Sequence, residues 1–288
     1  MISNLTQLLI DGLLAGAMLA VPAIGFTTIY AVLRFPNFAV ASHMTIGAYA
    51  GFVANVRFHL PAAPSLAAAF LVAGLFGVLS DEMVLRRLRP GGPLTMAIAS
   101  VALTIILENV VRFAFGNDLR GYDLPVLRDW RFAGLRIGPQ ELENAVAAGI
   151  VMAALFLFLA FSRTGKMMRA VADNPTLASL KGINADTVAR LASFMGMGLA
   201  GFGGMLLGLD TSIDPLTGFR VVLSVFAAAV VGGLGSIPGA VAGAFVVGIG
   251  EEFSLIVLDP SYRSAVGFFA ILAVLSLRPR GLLGERAY

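Results

Sequence analysis

The chain offers few places for chemistry. Its Gly165-Lys166 pair could open a phosphate-cradling loop, but Ala160 stands where that loop's first glycine belongs and Met167 where its serine or threonine belongs. Nucleotide hydrolysis by this chain is therefore not expected. Cysteine is absent, and the two histidines, His43 and His59, form no cluster with metal-ligand spacing, so thiol and metal chemistry have no residues to use. Serines set among apolar residues without a base nearby carry no hydrolase argument. The acids within apolar stretches are Asp11, Glu108 and the Glu251-Glu252 pair. Glu108 precedes Arg112 by one helical turn, in the acid-first order that favours an internal ion pair, with a pathway role as the alternative. Asp11, Glu251 and Glu252 fall near the ends of apolar stretches and read as interfacial or interhelical groups.

Charge gathers instead in Arg163 to Arg190. Within that segment Asn174 is placed to cap a helix whose first position is Pro175, where a missing N–H costs nothing, and Gly182 to close it in the left-handed conformation. Leu177, Leu180 and, beyond the cap, Ile183 recur every three residues and offer an apolar edge beside Arg169 and Lys181. The pattern predicts a short helix on a basic loop that docks a partner. Its plain alternative is a solvated loop obeying the positive-inside rule.

The elements that position these residues are membrane helices. A chain of 288 residues with 58% hydrophobic and 13% charged residues and a mean hydropathy of +0.88 is a polytopic membrane protein, all-α in fold class. Apolar stretches fall near 5–33, 38–57, 62–85, 94–116, 143–162, 187–209, 219–236, 238–258 and 262–277, which predicts about eight or nine transmembrane segments in one domain over residues 1–288. The first stretch follows no basic leader and reads as a retained span. It is long for one crossing and carries Pro22 and Gly25, while those beyond residue 219 are short and interrupted by Gly232-Gly233-Leu234-Gly235-Ser236-Ile237-Pro238-Gly239, so discontinuous or re-entrant helices are expected. Gly12/Gly16, Gly47/Gly51, Gly204/Gly208 and Gly239/Gly243 have the spacing of close helix packing.

Orientation follows from the basic loops. Arg86, Arg87 and Arg89, then Arg163, Lys166, Arg169 and Lys181, then Arg278, Arg280 and Arg286 mark three cytoplasmic segments, the second spanning 163–186. The mixed-charge connection 116–142 and the one near 209–219, which holds Asp210 and Asp214, fall outside. The C-terminus is then cytoplasmic.

With these features in place, the chain resembles the LivH-type permeases of branched-chain amino acid ABC importers. The resemblance rests on Ile29-Tyr30-Ala31-Val32-Leu33-Arg34 leading to Asn37-Phe38-Ala39, on Ile46-Gly47-Ala48-Tyr49, on Arg169 to Pro175 with Gly182-Ile183-Asn184, and on Val231 to Ala240. It implies a prokaryotic inner-membrane subunit working with a second homologous permease, two cytoplasmic ATPases that carry ATP and Mg, and a periplasmic solute-binding protein. No cofactor of the chain's own and no nucleic acid are implied. By position, Arg169, Asp173, Asn174, Pro175, Leu177, Leu180 and Gly182 would couple to the ATPase. The breaks carrying Asn37 and Phe38, and Gly232, Gly233, Gly235 and Ser236, would line the substrate pathway, with His43 nearby. Each break has a plainer reading, a tight turn for the first and a loop joining two spans for the second.

Two departures from the family pattern bear on substrate. Family members commonly follow Asn-Phe-Ala with His-Gly-Glu, whereas this chain reads Val40-Ala41-Ser42-His43 and lacks the acid; His43 then reads either as a pathway group or as an interhelical partner. Thr176 stands where a glutamate is frequent. The rival class is a stand-alone channel or ion-coupled secondary transporter, which the scarcity of intramembrane acids disfavours.

Overall fold

The computed structural model describes residues 2–124, 128–132, 135–259, 262–278 and 281–284. Arg280 and Arg286 of the expected C-terminal basic cluster, and residues 125–127 and 133–134 of the 116–142 connection, lie outside the described residues.

Helices dominate. In chain order they are α1 (Ile2–Leu33), α2 (Val40–Phe52), α3 (Ala62–Ser80), α4 (Arg86–Leu88), α5 (Gly92–Phe115), α6 (Pro139–Phe161), α7 (Arg163–Asp173), α8 (Pro175–Leu180), α9 (Ala185–Asp210), α10 (Thr217–Gly232), α11 (Ile237–Ser254) and α12 (Arg263–Leu277). Strands β1 (Trp130–Phe132) and β2 (Leu135–Ile137) pair antiparallel between α5 and α6, a small hairpin where the sequence suggests only a loop. Among the described residues, five helical stretches are long and apolar enough to cross a membrane, with shorter apolar helices at 217–232 and 265–277. One of the five, Ala62–Phe115, is divided by Gly92 at φ 85°, a conformation that β-carbon sterics deny to other residues.

The long helix α9 forms the axis, buried along most of its length. α1 runs antiparallel to it, with Gly196 against Ile29 and Gly203 against Pro22. A β-carbon on Gly203 would lie 2.5 Å from Pro22 Cδ, so the glycine makes room for the ring and α1 continues unbroken through Pro22. The unwound segment at residues 34–39 is the break expected around Asn37 and Phe38. α2 crosses α9 where a β-carbon on Gly47 would meet Gly201 Cα at 2.2 Å, and α3 packs along α9 through Gly74 and Gly77. α11 lies antiparallel to α1, Gly12 facing Ile249 and Gly16 facing Phe245. Close backbone approach through small residues is how helices gain dispersion energy in lipid, where burial of apolar surface supplies little.

The outer helices show the complementary pattern. On α5 only a stripe that includes Met96, Ser100, Leu103, Thr104 and Val111 is buried, while Leu94, Ile98, Ile105, Ile106 and Phe113 face outward. Such a surface suits hydrocarbon, not water. At about 1.5 Å per residue, the 16 residues of α10 fall short of a full bilayer crossing, as the short apolar stretch predicts.

Candidate functional site

The basic end of the bundle is built from α7, α8 and the start of α9. α7 is a helix where the sequence reads as loop. Its N-cap is Ser162, whose Oγ accepts from the Gly165 N–H at 2.8 Å, and it seats Gly165, Met168 and Val171 on the bundle. Met167 and Ala170 pack beside them, so α7 is strongly amphipathic, with Arg163, Lys166 and Arg169 on its outer side. Arg169 is exposed, with one guanidinium N–H reaching Ala160 O at 3.3 Å.

α8 has the expected boundaries. Asn174 Oδ1 accepts from the Leu177 N–H at 2.9 Å, and Pro175 occupies the first turn. At the other end the Ile183 N–H bonds to Ala178 O at 3.1 Å and the Gly182 N–H to Ser179 O at 3.0 Å, with Gly182 at φ 81°, which is a Schellman closure. Ala178 and Ile183 face the bundle, so Ile183 anchors the helix and does not join its outer edge. Leu177 and Leu180 remain 54% and 79% exposed. Asp173 and Lys181 are exposed beside them. Arg34 at the end of α1 donates to Ala172 O, tying α7 to the first helix.

The break at 34–39 is a second polar feature. Asn37 is buried and its Oδ1 accepts from the Ala39 N–H at 3.1 Å, which starts α2. The Phe38 backbone is satisfied by α5: its N–H donates to Ser100 Oγ and its carbonyl accepts from Thr104 Oγ1, each at 3.0 Å. The Phe38 ring meets Phe226 of α10 at 5.6 Å, and Phe226 meets Phe26 of α1 at 5.7 Å. His43 is 0% exposed, its Nδ1 against Ala39 O at 2.7 Å and its Nε2 against Ser80 Oγ of α3 at 3.4 Å. It thus touches its own helix and α3.

The glycine-rich run lies apart from Asn37 and Phe38. It forms the turn joining α10 to α11, with Gly233 and Gly235 at φ 109° and 91° and Ser236 Oγ accepting from the Gly239 N–H at 3.2 Å. Gly232 packs on Gly239 so closely that a β-carbon would lie 2.0 Å from Gly239 O, and the Leu282 and Leu283 N–H groups bond to Val231 and Gly232 carbonyls.

The acids that sequence treats singly come together. A cleft of about 470 Å³ between α1, α6, α9, α10 and α11 is walled in part by Asp11, Glu141, Asp210, Glu251, Glu252 and Arg220. Ser224 donates to Glu251 Oε1 at 2.5 Å, and Arg220 pairs with Asp214, which also accepts from Thr217 Oγ1 at 3.0 Å. Loop segments close around this end. The Gln7 side chain exchanges two hydrogen bonds with the Arg136 backbone, at 2.7 and 2.9 Å, and Arg120 bridges to Ile213. Tyr122 donates to Ala48 O of α2 at 2.8 Å, and burial pushes its phenol well above the usual range. Glu108 and Arg112 make the expected pair at 2.9 Å on α5.

A helical bundle with lipid-suited outer faces, an unwound segment and a charged cleft defines a multi-pass membrane transport protein. Residues 8–275 match the family described as branched-chain amino acid transport system permease component, and the chain belongs to it. It is 32% identical to the high-affinity branched-chain amino acid transport permease BraD of Pseudomonas aeruginosa and 31% identical to LivH of Escherichia coli, in each case over 97% of this chain and 95% of the relative. A probable branched-chain amino acid permease LivH of Methanocaldococcus jannaschii is 27% identical over 93% of the chain and 89% of its own length. In fold it is similar to a chain of PsaBC from Streptococcus pneumoniae, solved with a Fab, at a TM-score of 0.50 and 13% identity, covering 97% of each chain. The chain is a permease subunit of an ABC importer and not an enzyme.

Proposed function

We propose that the chain forms, with a second homologous permease, the translocation pathway for branched-chain or related amino acids in a prokaryotic inner membrane. A periplasmic binding protein delivers the solute, and two cytoplasmic ATPases, holding ATP and Mg, supply the energy. The observation that carries the reading is α8: a helix closed at both ends that turns Leu177 and Leu180 outward beside Arg169 and Lys181, on a chain with no nucleotide site of its own. Two exposed leucines on a six-residue helix gain nothing for the folded chain alone and suit a complementary apolar groove. In this reading residues 163–186 are the cytoplasmic coupling segment, 116–142 the periplasmic connection, and the C-terminus is cytoplasmic.

The cleft is then the outward mouth. Its carboxylates favour the ammonium group of an amino acid, and Leu14, Met18, Leu19 and Leu207 supply apolar wall for its side chain. Asn37 and Phe38, at the unwound segment, face the pathway deeper in, while His43 and the Gly232 to Ser236 turn hold helices in place. The transport step is a switch of the bundle between outward-open and inward-open arrangements, biased by ATPase closure and by the docked binding protein.

The test is a pull-down of the tagged chain from its native membrane in mild detergent, with mass spectrometry. ATPase subunits and a second permease in the eluate are expected. A partner-free oligomer that transports after reconstitution would favour the channel or secondary-carrier reading.

A further inference from the structure

Arg220 and Ser224 of α10 both line the cleft of about 470 Å³. They stand four residues apart, which sets them about 5–6 Å from each other on one face of the helix. Ser224 does not act alone, since its hydroxyl donates to Glu251 Oε1 of α11 at 2.5 Å. One wall of the cleft therefore carries a guanidinium near the start of α10 and a carboxylate one turn further along. Gly248 seats α11 for this: a β-carbon there would lie 2.6 Å from Gly16 N, so the α11 backbone lies against α1 about one turn before Glu251.

Each of the two charges is held by a neighbour and still faces the opening. Asp214 accepts from Arg220 Nη2 with one oxygen and from Thr217 Oγ1 with the other. Among the described residues Nη2 is the one nitrogen of Arg220 so engaged, and the side chain is 59% exposed. Glu251 and Ser224 are buried. A carboxylate accepts at about four positions, so the Ser224 bond orients the group without saturating it. The other acids of the cleft, Asp11, Glu141, Asp210 and Glu252, are all more exposed than Glu251. Asp11 accepts from Gln7 Nε2, which also donates to Arg136 O, and so belongs to the clasp that holds the hairpin. Glu141 sits in the first turn of α6, where a helix favours an acid. Water and salt screen these rim charges more than the buried one.

We infer that Arg220 and Glu251 read the head group of a zwitterionic α-amino acid, so that the permease itself discriminates among solutes. The solute's carboxylate meets Arg220 and its ammonium meets Glu251, both in charge-assisted hydrogen bonds. Its side chain lies against Leu14, Met18 and Leu19 of α1 and Leu207 of α9. Ser224 is the positioning residue for Glu251. A keto acid with the same side chain brings no ammonium and sets a carbonyl against Glu251. An amine lacking the carboxylate leaves Arg220 with Asp214 alone. Each analogue loses one of the two contacts, and a site built for a polar group rejects a solute that lacks it.

The inference rests on the reading of the cleft as the outward mouth for amino acids. The chain has no cysteine, so Ser212→Cys, on the cleft wall, gives it a single thiol. In the whole importer, reconstituted without its binding protein, labelling of that thiol by a membrane-impermeant maleimide is followed with leucine, with leucine's α-keto acid or with isoamylamine. Leucine should slow the labelling, and each analogue should need about tenfold more for the same effect. Glu251→Gln and Arg220→Gln, each in the Ser212→Cys chain, should raise the half-protecting leucine concentration by a similar factor, and Arg220→Lys should raise it less than Arg220→Gln. The analogue comparison needs no second substitution, so it decides the matter where a variant does not fold. Three results would overturn the inference alone in an importer that takes up leucine: a thiol that does not label, labelling that leucine does not slow, or an analogue that protects as well as leucine. Absence of ATP-driven leucine uptake by the unaltered importer with its binding protein would overturn the amino-acid reading and the inference with it.

Discussion

Ser224 of α10 and Glu251 of α11 are joined by a 2.5 Å hydrogen bond at the cleft, both side chains buried. The bond fixes one carboxylate oxygen of an acid that also lines the opening. Ser224→Ala removes a donor to a buried carboxyl oxygen, a change that costs about 1–3 kcal/mol. A lower thermal midpoint in detergent, together with reduced solute uptake, is the expected outcome. Glu251→Gln keeps the shape and should spare stability more than uptake.

The α2–α9 crossing has no room for a side chain. On Gly204 a β-carbon would stand 2.1 Å from Met44 O, a backbone atom that cannot swing aside. Gly204→Val is expected to destabilise the bundle by about 1–3 kcal/mol or more, read as loss of the monodisperse peak after graded heating. Gly235→Ala tests a different effect, since nothing crowds that residue and only its φ of 91° opposes the substitution. It should cost less than Gly204→Val.

The cap of α8 can be removed without touching the exposed leucines. Asn174→Ala should cost about 1 kcal/mol locally and weaken, without abolishing, retention of ATPase subunits in a pull-down. Arg169→Glu with Leu177→Ala and Leu180→Ala should abolish retention while the permease still inserts and stays folded. Unchanged co-purification in the triple variant would remove α8 as the docking element.

Tyr122 gives a pH test. Its folded phenol titrates above the unfolded one because burial disfavours phenolate, with a smaller push from Tyr49. The neutral form is therefore favoured in the fold, and its contribution is fully present below about pH 10 and lost as pH rises beyond that. Tyr122→Phe should lower the thermal midpoint by a constant amount at neutral pH and progressively less in alkali.

Local signals were legible in the sequence and tertiary ones were not. Asn174, Pro175 and Gly182 bound α8 because capping depends on residues within a few positions of one another. The apolar stretches located the long helices for the same reason. α7 was read as loop for its charges, Arg163, Lys166 and Arg169, although Met167, Met168 and Val171 recur at helical spacing and pack on the bundle. The break carrying Asn37 and Phe38 lies where the sequence puts it, whereas Pro22 makes none, since the space for its ring is supplied by Gly203, which sequence spacing cannot bring near. Asp11 and Glu251 read as acids near the ends of separate stretches and Asp210 as part of an outside connection. Only the antiparallel packing of α1 with α11 and α9 gathers them.

The measurement closest to the central claim is uptake of labelled leucine into proteoliposomes, comparing the full set of permeases, ATPases and binding protein with the chain alone. Uptake that requires ATP, the ATPases and the loaded binding protein is expected, and it should vanish in the Arg169, Leu177 and Leu180 triple variant. Uptake by the chain alone, without ATP, would contradict the account.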